Sequence, residues 1–192
     1  MKLFSIQKFM IIVIILALTG CATPNIEKDY ELQTKNKTGL LVMSVTHNTK
    51  VVTLNYKNLS SSEEGAILTS TMKDRFDFKQ PKGRLVVIEL PVGEYELNQW
   101  VTEIDIYQFT SPLFSAPFSI KQGSILYIGN FDLKASLIHP FMKVEYEHTI
   151  SDRYERDISL LFKKYNKLKI EKIDKNISKF TPIIIVKENI TI

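Results

Sequence analysis

Residues Arg84 to Ile104 read R-L-V-V-I-E-L-P-V-G-E-Y-E-L-N-Q-W-V-T-E-I, and no other stretch constrains the fold as much. Two apolar, β-prone runs flank Pro91-Val92-Gly93. Val and Ile crowd the first run, and Tyr95, Leu97 and Val101 alternate with polar residues in the second. Strand periodicity on either side of a short connection predicts a hairpin. Proline presets one backbone angle of such a turn, and glycine accepts the sterically difficult one. In a regular strand Trp100 falls on the face opposite Tyr95 and Leu97.

The chain before this hairpin carries the same signature. Gly39 to His47 reads as a strand of the buried type, and Val51 to Lys57 alternates with Val52, Leu54 and Tyr56 on one face. Asn48-Thr49-Lys50 between them suits a tight hairpin turn. Leu59 to Gly65 is rich in Ser and Glu and reads as a solvated loop. Weaker strands follow at Ala66 to Thr71 and Arg75 to Phe78, and Gln80-Pro81-Lys82-Gly83 is a turn signal.

The N-terminus is of a different kind. Lys2 and Lys8 precede Phe9-Met-Ile-Ile-Val-Ile-Ile-Leu-Ala-Leu18, and Thr19-Gly20-Cys21 follows. A basic start, a short apolar run and small residues make an export signal. The run is short for a bilayer span. Leu18-Thr19-Gly20-Cys21 resembles the lipobox of bacterial lipoproteins. That resemblance implies cleavage before Cys21, acylation of Cys21, and a stable membrane anchor, since several acyl chains hold where one does not. Ala22 follows where, in that family, Asp would imply inner-membrane retention. The outer membrane of a two-membrane cell is therefore implied, on its periplasmic or its surface side. Cys21 is the only cysteine, so no disulfide is available to the exported chain. The formal charge of +4 drops to +2 when Lys2 and Lys8 leave with the leader. Basic and acidic residues are interspersed up to about residue 163, which argues against a nucleic-acid partner. Residues 22–38 are polar and read as a flexible tether from the lipid to the domain.

Leu90-Pro91-Val92-Gly93-Glu94-Tyr95-Glu96-Leu97 resembles the L-P-x-G-x-Y-x-L signature of prealbumin-like and carboxypeptidase-regulatory-like β-sandwich domains. Phe118-Ser119-Ile120-Lys121-Gln122-Gly123-Ser124-Ile125-Leu126-Tyr127 is similar to the next hairpin of that family. The resemblance covers residues 39 to 148 and implies an antiparallel sandwich. Its motifs are structural and carry no catalytic residue. The chain departs from the pattern at Val92, where a second proline is common, and in a longer segment after Ile104. That segment, Asp105 to Pro117, contains Tyr107, Phe109 and Phe114. Such rings on a loop suit a partner or a glycan, because flat aromatics bury much area at little entropic cost. The competing expectation is that the loop folds back over the end of the sandwich. Trp100 has the same two alternatives, an exposed ring or one covered by the C-terminal helix.

From Ser124 to Leu133 both faces are apolar, with Ile125, Tyr127 and Phe131 on one and Leu126, Ile128 and Asn130 on the other. Phe141 to His148 reads as a strand with one wet face. Asp152-Arg-Tyr-Glu155 resembles a capping box. Tyr154, Ile158, Leu161, Phe162 and Tyr165 then follow helical spacing. A helix over 152–165, docked by its apolar stripe on the sheet, is expected. Lys163 to Lys179 reads as a solvated segment, Pro182 ends any helix, and Ile183 to Val186 suits a late edge strand. The organisation is thus a signal peptide at 1–20, a tether at 21–38, a sandwich at 39–150, and a helix and tail at 151–192. The fold class is mainly β, an antiparallel sandwich with one C-terminal amphipathic helix.

Catalytic and metal motifs are sparse. His47, His139 and His148 have no ligand-like spacing, so neither a metal nor a cofactor is expected. Ser70-Thr71-Met72-Lys73 and Lys37-Thr38-Gly39 spell S-x-x-K and K-T-G, but in the reverse of their functional order and with no S-D-N between. Glu63 and Glu64 sit in a solvated loop with no apolar pocket to perturb them. The expectation is a membrane-anchored, non-catalytic binding or scaffolding module of the bacterial envelope. Its partners would be the membrane, through Cys21, and another envelope protein or a glycan. The alternatives are a glycan-binding module using Trp100, Tyr107, Phe109 and Phe114, and a cell-wall glycan hydrolase with two carboxylates across a cleft.

Overall fold

The computed structural model describes residues 22–69, 76–138, 143–168 and 172–177, and the backbone of 183–187. Cys21 and its leader, residues 70–73, His139 and the start of the strand expected from Phe141 lie outside the described residues. The elements are β1 (Thr38–His47), β2 (Val52–Asn58), β3 (Glu64–Leu68), β4 (Phe78–Lys79), β5 (Lys82–Pro91), β6 (Gly93–Ile104), β7 (Tyr107–Thr110), β8 (Ala116–Ile120), β9 (Ile125–Ile138), β10 (Lys143–Ser151), α1 (Tyr154–Lys164), β11 (Ile173–Lys175) and β12 (Ile183–Lys187).

The strands form two packed sheets. One runs β12-β10-β9-β1-β5-β4, with β11 also on β9; the other runs β3-β2-β6-β7, with β8 also on β6. Pairing is antiparallel except for β1 with β9 and β11 with β9. Leu41, Met43, Val45, Val86, Ile88 and Leu90 face the second sheet and meet Leu54, Leu97 and Trp100 there. Leu40, Val42, Leu85, Val87, Ile125 and Tyr127 face the other way, under Ile158 and Leu161 of α1 and Tyr165 at its C-cap. The first sheet is therefore covered on both sides. That is why the runs Leu40–Met43 in β1, Leu85–Ile88 in β5 and Ile125–Ile128 in β9 are apolar at every position.

The Pro91-Val92-Gly93 connection is not a hairpin turn. β5 belongs to the larger sheet and β6 to the smaller, so the chain arches across the core. The Val92 N–H donates to the Lys37 carbonyl. The Tyr95 hydroxyl donates to the Pro91 carbonyl at 2.9 Å. This sandwich-corner arrangement has a tyrosine bonding back to the chain a few residues upstream. Gly93 has no positive φ. It leaves room instead, since a Cβ there would lie 3.1 Å from the Asn58 amide. Residues 48–50 and 121–124 also carry the chain between sheets, so neither expected hairpin is a paired one.

Two bulges reset which side chains face inward. Asn55 pairs with Gln99 but Tyr56 pairs with Leu97, which leaves Asn98 unopposed. One extra residue in a strand reverses the side-chain alternation. Trp100 therefore points to the same core as Tyr95 and Leu97, not to the opposite face, and Val101 is turned out of it. In β9, Val42 pairs with Tyr127 and Ser44 with Asn130, so an extra residue lies at Ile128-Gly129. Gly129 has φ +111°, a conformation that other residues rarely adopt. Past it, Phe131 joins Leu126 and Ile128 in the inter-sheet core, and Asn130 joins Tyr127 beneath the helix.

Helix α1 starts two residues later than expected. Arg153 occupies the N-cap and makes no side-chain cap bond. The expected capping box is not formed. The Asp152 carboxylate instead accepts the Tyr154 N–H at 3.0 Å.

Candidate functional site

The aromatic segment after Ile104 is partly a strand. Tyr107–Thr110 returns along β6 as β7, after a turn in which Asp105 has φ +58°. This pairing and the Asn98 bulge draw three of the four candidate rings inward. Trp100 is fully buried and stands edge-on to Tyr146 at 5.5 Å. Phe109 and Phe114 are also buried, and Phe114 tilts over His148 at 4.9 Å. Only Tyr107 of the four reaches the surface, at 40% exposure, beside the more exposed Ile106 at 87%. A stacking platform needs exposed ring faces, so Trp100, Tyr107, Phe109 and Phe114 do not form one.

A different cluster is assembled beneath α1, on the covered face of the larger sheet. Leu40 and Val42 lie at one end of the β1 row; Ser44 and Thr46, further along, are polar and buried. Asp157 is fully buried. One of its oxygens accepts the Ser44 hydroxyl at 2.6 Å and the Tyr127 hydroxyl at 2.8 Å. The other accepts Arg156 Nε at 2.8 Å. Arg156 Nη2 donates to Ser44 Oγ at 2.8 Å and to Asn130 Oδ1 at 2.9 Å. Its guanidinium lies 3.9 Å from the centre of the Phe78 ring. Asn130 donates to Thr46, and Thr46 to Asp132. Burial, and then the bond to Asp157, push the Tyr127 hydroxyl far above its ordinary pKa. The Ser44 hydroxyl also lies 2.8 Å from Asn130 Oδ1, and this dense bonding makes the cluster a lock between helix and sheet. Its legible signal was Asp157 on the helical line of buried Leu161, four residues on.

Two histidines, His47 and His148, are also buried. His47 Nδ1 donates to the Thr49 carbonyl at 3.0 Å, and burial lowers the pKa of both His47 and His148. Among the described residues no group of three or more His, Cys, Asp or Glu is placed to hold a metal. Glu63 and Glu64 are exposed.

Residues 22–38 do not stand off as a tether. Ala22 bridges Ala66 of β3, and the Thr23 N–H donates to the Ala66 carbonyl at 2.7 Å. The Thr23 hydroxyl meets the Tyr56 hydroxyl at 2.7 Å. Asn25 then grips β5 with its amide, donating to Leu85 O and accepting from Val87 N, both at 3.0 Å. The Ile26 N–H follows onto the Val87 carbonyl. β4 covers only Lys82 and Gly83 of β5, so this segment completes the exposed edge. Ile26, Tyr30 and Leu32 pack on the cluster beneath α1. Burial, and then a bond to Glu89, raise the Tyr30 pKa well above the ordinary tyrosine value. Large apolar residues at Ile26, Tyr30 and Leu32 were the available signal, obscured by the charges between them.

No protein-family model and no curated protein sequence matches this chain.

Proposed function

We propose that this protein is a lipid-anchored component of the bacterial cell envelope whose sandwich binds or scaffolds another envelope component without catalysing a reaction. The observation that carries this is Leu18-Thr19-Gly20-Cys21 placed directly behind a basic start and a short apolar run. Acylation of Cys21 would hold the domain at the membrane, the outer one in a two-membrane cell. The cluster beneath α1, where the Ser44 and Tyr127 hydroxyls both donate to Asp157, is read as a structural lock and not as a reacting site. A general base or nucleophile has to reach a substrate, and these groups are buried.

Two experiments test the proposal. Mass spectrometry of the N-terminal peptide from membranes should find acyl chains on Cys21, and Cys21→Ser should move the protein to the soluble fraction. An unmodified Cys21 in membrane-bound protein would overturn the anchor. Crosslinking in intact cells should trap a defined envelope partner with the wild-type chain; a chain that crosslinks to nothing would count against a scaffolding role.

A further inference from the structure

Residue 22 is seated on the domain, and this fixes what faces the lipid. The segment 22–26 ties the β3 edge of one sheet to the β5 edge of the other. Consecutive Cα atoms are about 3.8 Å apart, so a lipid attached one residue before Ala22 would start within a few ångströms of the β3 edge. A free tether of the length expected for 21–38 would allow the domain tens of ångströms of movement. The docked segment removes that freedom. Beside it lies an open cleft of about 670 Å³ lined by Pro24, Lys28, Leu68, Arg84, Lys164 and Tyr165. Glu27 lines it too and Lys164 is paired with Asp77 at 2.9 Å, which leaves a modest excess of positive charge beside apolar side chains, a composition that suits phosphate headgroups over acyl chains.

We infer that the edge formed by residues 22–28, β3 and β5 rests on the bilayer surface, so that the domain lies on the membrane in one orientation. This inference rests on acylation of Cys21. The opposite edge, with β7 and β8, then faces away from the lipid. It is separated from β3 by three strand spacings, about 14 Å. Ile106 and Leu113, 87% and 71% exposed, belong to that outward side.

Acylation consumes the only native thiol, so one engineered cysteine can carry a fluorophore in the full acylated chain. The protein is placed in phosphatidylethanolamine–phosphatidylglycerol vesicles that contain nitroxide-headgroup lipid. Quenching should be severalfold stronger at Lys28→Cys or Glu64→Cys than at Leu113→Cys. The added substitution Asn25→Ala, which deletes both amide bonds to β5, should narrow that difference. Equal quenching at the two edges, a reversed order, or a difference that Asn25→Ala leaves intact would each overturn the orientation. The mass of the N-terminal peptide separates the two failures. Unacylated Cys21 sinks the anchor itself, whereas acylated Cys21 with equal quenching sinks only the orientation.

Discussion

Asp157 and Leu161 lie four residues apart on α1, and helical geometry turns both toward the sheet. The carboxylate is buried among Ser44, Tyr127 and Arg156. Removing it leaves the hydroxyl donors and a guanidinium without their acceptor. Arg156 is 36% exposed, so the loss sits at the lower end for a buried pair. Asp157→Ala should lower unfolding free energy by about 3 kcal/mol. Tyr127→Phe, which removes one donor to the carboxylate, should cost about 1.5 kcal/mol. Urea midpoints of the two variants check both, and near-wild-type stability of Asp157→Ala would mean the cluster is not a lock. The buried histidines predict a pH dependence. Burial sets His47 and His148 below the ordinary value of 6.5. Around His47, Lys82 adds to that lowering and Asp132 opposes it. With the folded value depressed, the unfolded chain takes up protons first. The stability present above 6.5 is lost as pH falls toward and through the folded values. Urea midpoints from about pH 7.5 down to pH 5 should decline, and less steeply in His148→Phe.

At the scale of elements, the two bulges do most to organise the core. In β9, Gly129 takes φ +111°, and a Cβ there would lie 2.9 Å from Ile150 Cγ2. Gly129→Ala should therefore destabilise the domain by more than about 1 kcal/mol, measured by urea titration. The lost bulge would also displace Asn130 from Arg156, so Tyr127→Phe should cost less in the Gly129→Ala background than alone. In β6 the Asn98 bulge swings Trp100 into the core against Tyr146. Trp100→Ala should cost about 3 to 5 kcal/mol, and a change at exposed Ile106 less than about 0.5 kcal/mol. Denaturant midpoints of the pair separate a core tryptophan from a surface one.

For the whole molecule, the N-terminal segment belongs to the domain. Ile26, Tyr30 and Leu32 are half-buried on the cluster beneath α1, and Asn25 closes the β5 edge. A chain beginning at Lys37 should lose at least about 2 kcal/mol of stability, from their apolar burial and these bonds. If residues 22–36 were a free tether, the truncated chain would match the full one in urea unfolding. The same truncation should leave an exposed β5 edge and promote self-association, visible by light scattering.

Local periodicity was enough to place most strands, the helix and its apolar stripe, because each depends on side-chain spacing within a few residues. Leu40 to Val45 and Leu85 to Leu90 announced buried strands, and Ile158, Leu161 and Tyr165 announced a docked helix face. Which sheet each strand joined was decided by tertiary pairing. The Pro91-Gly93 arch and a hairpin have the same local pattern and differ only in distant partners, β1 for one strand and β2 for the other. Burial of Trp100 depended on one unpaired residue at Asn98, since a single insertion reverses every face beyond it. The Asp157 cluster joins β1, β9 and α1 across more than a hundred residues of chain. The docking of residues 22–32 likewise came from edges completed elsewhere in the fold. Leu18–Cys21, on which the proposed anchor rests, is the opposite case. It is four consecutive residues behind an apolar run, and a linear signal of that kind is legible without any tertiary structure.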